Sequence, residues 1–501
     1  MRNRDADDRL RRAQPRLDRR EALTLLGASA VAGLAPAAGH ATTGAKSSRS
    51  LPTTQSDVVL IGAGLSGLNA ALNLEEQGLK VTVLEGRTRI GGRLHTLNEI
   101  TGAPEAGGNG IGHSYARLLD LARRLGVELV PERLRTEPRE NSALHVRGQF
   151  ITMADWPESP FNPHPDALRK LGPWQVIFGF LSGKVPPMEL DGWQASQWAH
   201  LDVPVAQYLR EQGLNDETLR LANQFSSYGT NLWQSSLLQL CHVFTFARKS
   251  IELSAGRGSM SVKGGNQRMP EAMARALKGD VLLGRPVAGI RLDADGVEVR
   301  CSDGSRHRAR FCVMSAPFSA LRLVPVDPGF RGAQAEAVET LPYHHAFQVH
   351  FAVEKPFWEK DGLPPSFWSD GPIERFNALS YGPNASISSF MHYSNGDSTS
   401  RFDRLPLEDA ARLVLDEVER VRPAARGALR VLRAYSWQQT PFSGGAYASW
   451  APGQIPRFAI AMRQPHERMH LCGEHTSVLA RGMEGALESG ERAALEILER
   501  A

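Results

Sequence analysis

The stretch Asp57-Val58-Val59-Leu60-Ile61-Gly62-Ala63-Gly64-Leu65-Ser66-Gly67-Leu68 is an apolar strand running into G-x-G-x-x-G and the start of a helix. Val81-Thr82-Val83-Leu84-Glu85 follows as a second strand that ends in an acid. A strand before the glycines, a helix after them and an acid in register define a dinucleotide-binding turn. Gly62 permits the tight turn, Gly64 lets backbone N–H groups approach a pyrophosphate, and Gly67 lets the helix pack on the strand. The helix start faces the phosphates with its positive end. Glu85 is placed to accept the ribose hydroxyls.

Gly86-Arg87-Thr88-Arg89-Ile90-Gly91-Gly92-Arg93 continues directly from that acid. An arginine-rich loop around a second glycine pair resembles the R-x-G-G-R segment of the flavin-dependent amine oxidases, the family of monoamine, polyamine and L-amino acid oxidases. The resemblance implies FAD along this loop, with Gly86, Arg87, Gly92 and Arg93 at the diphosphate, where guanidinium groups bind phosphate in bidentate fashion. It extends to Gly107-Gly108-Asn109, to Val287, whose backbone would meet the adenine, and to the closing segment Gly473-Glu474-His475-Thr476 followed by Gly482-Met483-Glu484-Gly485-Ala486. It implies that Gly108, Asn109, Val287, Gly473, Glu474 and Met483 touch the cofactor, and that the closing helix aims its N-terminal amides at the flavin ring. The implied fold is α/β: a Rossmann-like FAD domain of the glutathione-reductase type, interleaved with an α+β substrate domain.

Composition agrees. The chain of 501 residues carries 42% hydrophobic residues, enough for two domains, and a net charge of +4, which points to no nucleic-acid surface. Four scattered cysteines, Cys241, Cys301, Cys312 and Cys472, suggest neither a metal site nor a disulfide framework, and are expected reduced. Arg19-Arg20 precedes an apolar run from Leu23 to Ala38, which reads as a twin-arginine signal over residues 1–41 with a linker over 42–55. Export to the periplasm or beyond is therefore expected. No other stretch suggests a stable membrane anchor, and a homodimer is left open. The FAD domain is expected over 56–115, 255–325 and 430–501, and the substrate domain over 116–254 and 326–429. Helical periodicity dominates 116–250, strands are expected over 341–394, and Leu405 to Val421 reads as an amphipathic helix.

Candidate catalytic residues come from the same resemblance. Trp437 and Tyr447 match the W-x(6)-G-G-x-Y segment beside the flavin, with Tyr447 as one wall of the family's aromatic cage. The opposite wall falls at Gly482, which has no side chain. Ala446 stands where monoamine oxidases attach the flavin through cysteine, so FAD is expected to be non-covalent. Gln348, upstream of Pro356-Phe357-Trp358, replaces the lysine that the family bonds through water to flavin N5. An amide brings no charge to assist oxygen reduction, so the electron acceptor is O2 or a quinone or cytochrome. Lys263 is a candidate replacement cation, and His344, His345 and His350 lie nearby in sequence. Gly110 occupies the approximate position of the arginine that anchors carboxylates in amino acid oxidases. An amine without an α-carboxylate is therefore favoured, with Arg117 or Arg375 as alternative anchors. The implied reaction is oxidation of an amine C–N bond to an imine by hydride transfer to the flavin. A desaturase acting on C–C bonds and a non-enzymatic flavin-binding protein remain as alternatives.

Overall fold

The computed structural model describes residues 53–132, 135–136, 142–224, 229–380 and 386–501. The expected signal lies outside these residues, and the first strand, Thr53–Ile61, already begins within the expected linker.

Two eight-stranded sheets organise the described chain. The first is ordered Asp280–Leu282, Val81–Leu84, Thr53–Ile61, Arg306–Met314, Val297–Cys301, Val287–Leu292, Val326–Asp327, with Met469–Leu471 parallel to Arg306–Met314. Thr53–Ile61 pairs in parallel with both Val81–Leu84 and Arg306–Met314. Val58, Val59 and Leu60 are buried without remaining exposure, as a central parallel strand covered on both faces requires. Helix Leu65–Glu76 packs on this sheet against helix Gly482–Leu498. The two meet so closely that a β-carbon on Gly490 would lie 2.2 Å from the Ser66 carbonyl oxygen. The closing motif is thereby held against the opening one.

The second sheet runs Leu429–Ser436, Ala346–Val353, Ile387–Asn395, Arg375–Ser380, Phe367–Ser369, Ala143–Val146, Gln149–Thr152, with Arg135–Thr136 antiparallel to Arg375–Ser380. Alternation along Ala346–Val353 decides what each face does. Phe347, Val349 and Phe351 enter a core closed by Ala410, Ala411, Val414 and Val418 of helix Leu407–Val421. Gln348 and His350 alternate with these residues, and Ala346 joins Ala106 and Trp437 in a separate cluster.

Interleaving of two sheets is as expected, but three boundaries and one secondary-structure expectation differ. Leu429–Ser436 belongs to the second sheet, because it pairs with Ala346–Val353 along its length. Val326–Asp327 belongs to the first. Helix Ala116–Arg124 buries Leu118, Leu121 and Ala122 in the core of the first sheet's helices. Residues 143–152, within the stretch read as helical, form a hairpin of the second sheet. All four cysteines are free and buried.

Candidate active site

A cavity of about 610 Å³ opens where the two glycine loops meet. Its walls include Gly62, Gly64, Glu85, Gly86, Arg87, Gly92, Arg93, Gly108, Val287, Tyr447, Glu474 and Met483. Gly62 has φ +107°, which an L side chain rarely adopts, and a β-carbon on Gly67 would lie 2.2 Å from the Gly62 carbonyl oxygen. Across the cavity floor, a β-carbon on Gly92 would come within 3.4 Å of the Gly64 Cα. Gly62 and Gly67 therefore hold a turn that side chains would close, and Gly92 lets the second loop pack against it.

The charged groups on this wall are oriented by backbone. Glu85 is buried, and its two carboxylate oxygens each accept one amide, from Ala63 and from Arg87, both at 2.9 Å. Arg87 donates to the Pro441 carbonyl and, at 2.6 Å, to Ser443 Oγ. Its Nε is buried with no partner, an unsatisfied donor on the cavity wall. Arg93 donates to Glu474 at 2.7 Å and to the Ala446 carbonyl at 3.3 Å. Burial pushes the Glu474 carboxyl up, and the Arg93 charge overcomes this, leaving it below its ordinary range. Helix Gly482–Leu498 begins at the cavity, with Gly482, Met483 and Ala486 on its wall. The unsatisfied Arg87 donor, the glycine turn and the acid behind it fit a dinucleotide with a diphosphate, so the residues present suit FAD.

Three residues expected at the cofactor are off the cavity wall, the first being Gly67, which lets the helix pack on the strand. Asn109 is exposed and off the cavity wall. Gly473, at φ +128°, is also off it; a β-carbon there would lie 2.4 Å from the His475 ring, so its role is to make room for that buried histidine. Ser443, which engages Arg87, and Ser315, whose Oγ donates to the Ile61 carbonyl at 2.7 Å, carry no motif and were not legible.

Trp437 and Gln348 converge on one atom behind the cavity. Trp437 Nε1 donates to the Ala106 carbonyl at 2.8 Å, and Gln348 Nε2 donates to the same oxygen at 3.1 Å. His350 Nε2 donates to Gln348 Oε1 at 3.2 Å. Burial lowers the His350 pKa to about 4, so the ring is neutral. Neither Trp437 nor Gln348 lines the cavity: Trp437 packs with Ala446, which does, and a β-carbon on Gly107 would lie 2.6 Å from its ring. Lys263 does not replace the missing ammonium, being exposed and paired with Glu128 at 2.7 Å.

Tyr447 is on the wall and stacks on His344, with centroids 4.6 Å apart and planes at 15°. His344 donates through Nδ1 to the Gly229 carbonyl at 3.0 Å, and burial lowers its pKa to about 3. At Gly482 a β-carbon would meet nothing within 4 Å, so the opposite wall of the cage is open space. The alternative carboxylate anchors are engaged. Arg117 pairs with Glu491 at 2.6 Å and Glu484 at 3.5 Å, and Arg375 pairs with Glu374 at 3.1 Å while lying 4.3 Å over the Tyr393 ring. His345 is half-buried, with its pKa lowered by desolvation. No cluster of metal-ligating side chains occurs among the described residues, and no helix there is long and apolar enough to cross a membrane.

A two-sheet α/β chain with a glycine-lined dinucleotide cavity and a tyrosine at its far end has the architecture of a flavoprotein oxidoreductase. The family model for flavin-containing amine oxidoreductases matches residues 65–498, and the chain belongs to that family. It is with that family an FAD-dependent enzyme acting on amines. The chain is 26% identical over 461 residues to a flavin-containing amine oxidase of Danio rerio, covering 88% of this chain and 85% of that one. It is 25% identical over 469 residues to an L-amino-acid oxidase of Siganus canaliculatus, covering 89% and 85%. Among solved structures, cyclohexylamine oxidase from Brevibacterium oxydans superposes with a TM-score of 0.71 at 25% identity, over 89% of this chain and 99% of that one.

Proposed function

We propose that this enzyme oxidises an amine C–N bond to an imine, which water converts to a carbonyl compound plus ammonia or a smaller amine, and that its electrons leave to an acceptor other than O2. FAD supplies a two-electron acceptor, and the side chains orient the substrate and exclude water. Tyr447, rigidified by its stack on His344, offers a ring face at the end of the cavity. The ring of His344 behind Tyr447 is neutral and adds no charge of its own. Ala446 presents no nucleophile to the cavity, consistent with FAD held without a covalent bond.

The observation that carries the choice of acceptor is the Gln348 amide. It is bound to Ala106 and to neutral His350, so this position offers an amide and not a cation to negative charge developing on oxygen. A quinone or cytochrome fits this lack of charge. The reading is tested by trapping the carbonyl product with a hydrazine during turnover with an artificial acceptor. Turnover without a trapped carbonyl contradicts it.

We also propose export by the twin-arginine route, supported by Arg19-Arg20 ahead of the apolar run and by the value of exporting a flavoprotein already folded. Residues 1–50 fused to a reporter active only outside the cytoplasm should confer activity. Changing Arg19 and Arg20 to Lys should abolish it, and unchanged export contradicts this route.

A further inference from the structure

Phe442 holds a backbone conformation that a bulky side chain rarely adopts, with φ +61°, and its ring is 44% exposed although it lines the cavity. A left-handed phenylalanine persists only where its surroundings fix it. Here they fix it from two elements. Arg87, three residues beyond strand Val81–Leu84, donates through Nη2 to the Pro441 carbonyl and, at 2.6 Å, to Ser443 Oγ. Ser319, in helix Phe318–Leu321 beyond strand Arg306–Met314, donates through Oγ to the Ser443 carbonyl at 2.5 Å. Those two strands flank Thr53–Ile61, which leads into the turn at Gly62. Residues 441–443 therefore join the two neighbours of the central strand at the end where the cavity opens.

The Phe442 ring rests on Gly86, where a β-carbon would lie 2.9 Å from it. Gly86 stands between Glu85 and Arg87, so the ring sits beside the acid and the cation that suit the cofactor. Arg87 couples the two functions: Nη2 fastens residues 441–443, and the buried Nε is left without a partner. Leu323, 80% exposed and also on the cavity wall, follows the Ser319 helix and continues an apolar rim. FAD held at Glu85 and Arg87 adjoins this rim, and covering its apolar surface favours the closed arrangement. The strained φ of Phe442 opposes it.

We infer that Phe442 is a cofactor-retaining residue: residues 441–443 form a strap that closes over the Gly86 and Arg87 side of the cavity to hold FAD, and that leaves Arg87 and Ser319 to let FAD in and out. Ala446 offers no covalent attachment, so retention falls to contacts of this kind. The strap concerns the cofactor alone and is independent of which substrate the enzyme oxidises.

The test uses the full chain and FAD itself. Release is followed by the rise in flavin fluorescence when the FAD-loaded protein is diluted, and uptake by the fall in fluorescence when FAD meets the apoprotein. Phe442→Gly removes the ring and adopts φ +61° without strain. Release should then quicken about tenfold or more, uptake should quicken as well, and the denaturation midpoint of the apoprotein should not fall. Phe442→Tyr keeps the ring and should keep both rates. Ser319→Ala undoes one fastening and should quicken both by less than Phe442→Gly does. Release at the wild-type rate in Phe442→Gly overturns the assignment. Faster release with unchanged uptake also overturns it, because the ring would then be a contact and not part of a strap that opens. Faster release accompanied by a lower apoprotein midpoint in both Phe442→Gly and Ser319→Ala overturns it too, by showing a general loosening of the fold.

Discussion

Arg93 and Glu474 stand 381 residues apart in sequence and form a 2.7 Å ion pair on the cavity wall. Glu474 also accepts the Ala448 amide at 2.9 Å, two residues from Ala446 on the same wall. One carboxylate thus ties the second glycine loop, the Tyr447 strand and the closing motif together. Its side chain is 10% exposed and that of Arg93 18%, so removing either charge strands the other in a largely dry site. Glu474→Gln is expected to cost about 3 kcal/mol of stability, read as a lower midpoint in chemical denaturation of the apoprotein. The folded-state pKa of Glu474 is depressed, so its contribution is present above the ordinary carboxylate pKa and lost as pH falls through the folded value. The gap between wild type and mutant should therefore close in acid. A gap independent of pH would show that the pair is not what the mutation removes.

Gly67→Ala should abolish FAD binding, because its methyl would sit 2.2 Å from the Gly62 carbonyl oxygen, which belongs to backbone that cannot rotate away. Glu85→Ala should retain the fold yet lose FAD during gel filtration, since a buried acceptor facing the cavity is gone. Full flavin occupancy in Glu85→Ala would remove Glu85 from the cofactor site.

Acid precipitation should release all flavin into the supernatant as FAD. Flavin remaining on the precipitate would reveal an attachment that Ala446 cannot provide.

Gln348→Lys should speed reoxidation by O2 on the order of tenfold, because it places a donor cation beside the Ala106 carbonyl where a neutral amide now sits. Stopped-flow mixing of the reduced protein with aerated buffer measures this. The wild type should reoxidise faster with a quinone than with O2, and the reverse order would contradict the proposed acceptor.

What was legible in the sequence depended on how local its cause is. Gly62, Gly64, Gly67 and Glu85 belong to a turn whose backbone demands are met within one strand–helix unit, so spacing alone found them. Leu407–Val421 carries its own periodicity and was placed within two residues. The hairpin at 143–152 was not legible, because its partner is Phe367–Ser369, far along the chain, and its burial arises only on pairing. The convergence of Trp437 and Gln348 on Ala106 spans 331 and 242 residues and leaves no local pattern.

The central claim is that this cavity passes electrons from an amine to FAD. Anaerobic titration of the FAD-loaded protein with amines, those bearing a carboxylate included, tests it most directly, followed at the main visible absorption band of the flavin. The account predicts that at least one amine bleaches that band completely with one equivalent per flavin, and that Tyr447→Ala slows the bleaching while FAD stays bound. A flavin that no amine reduces, although dithionite reduces it readily, would contradict the claim.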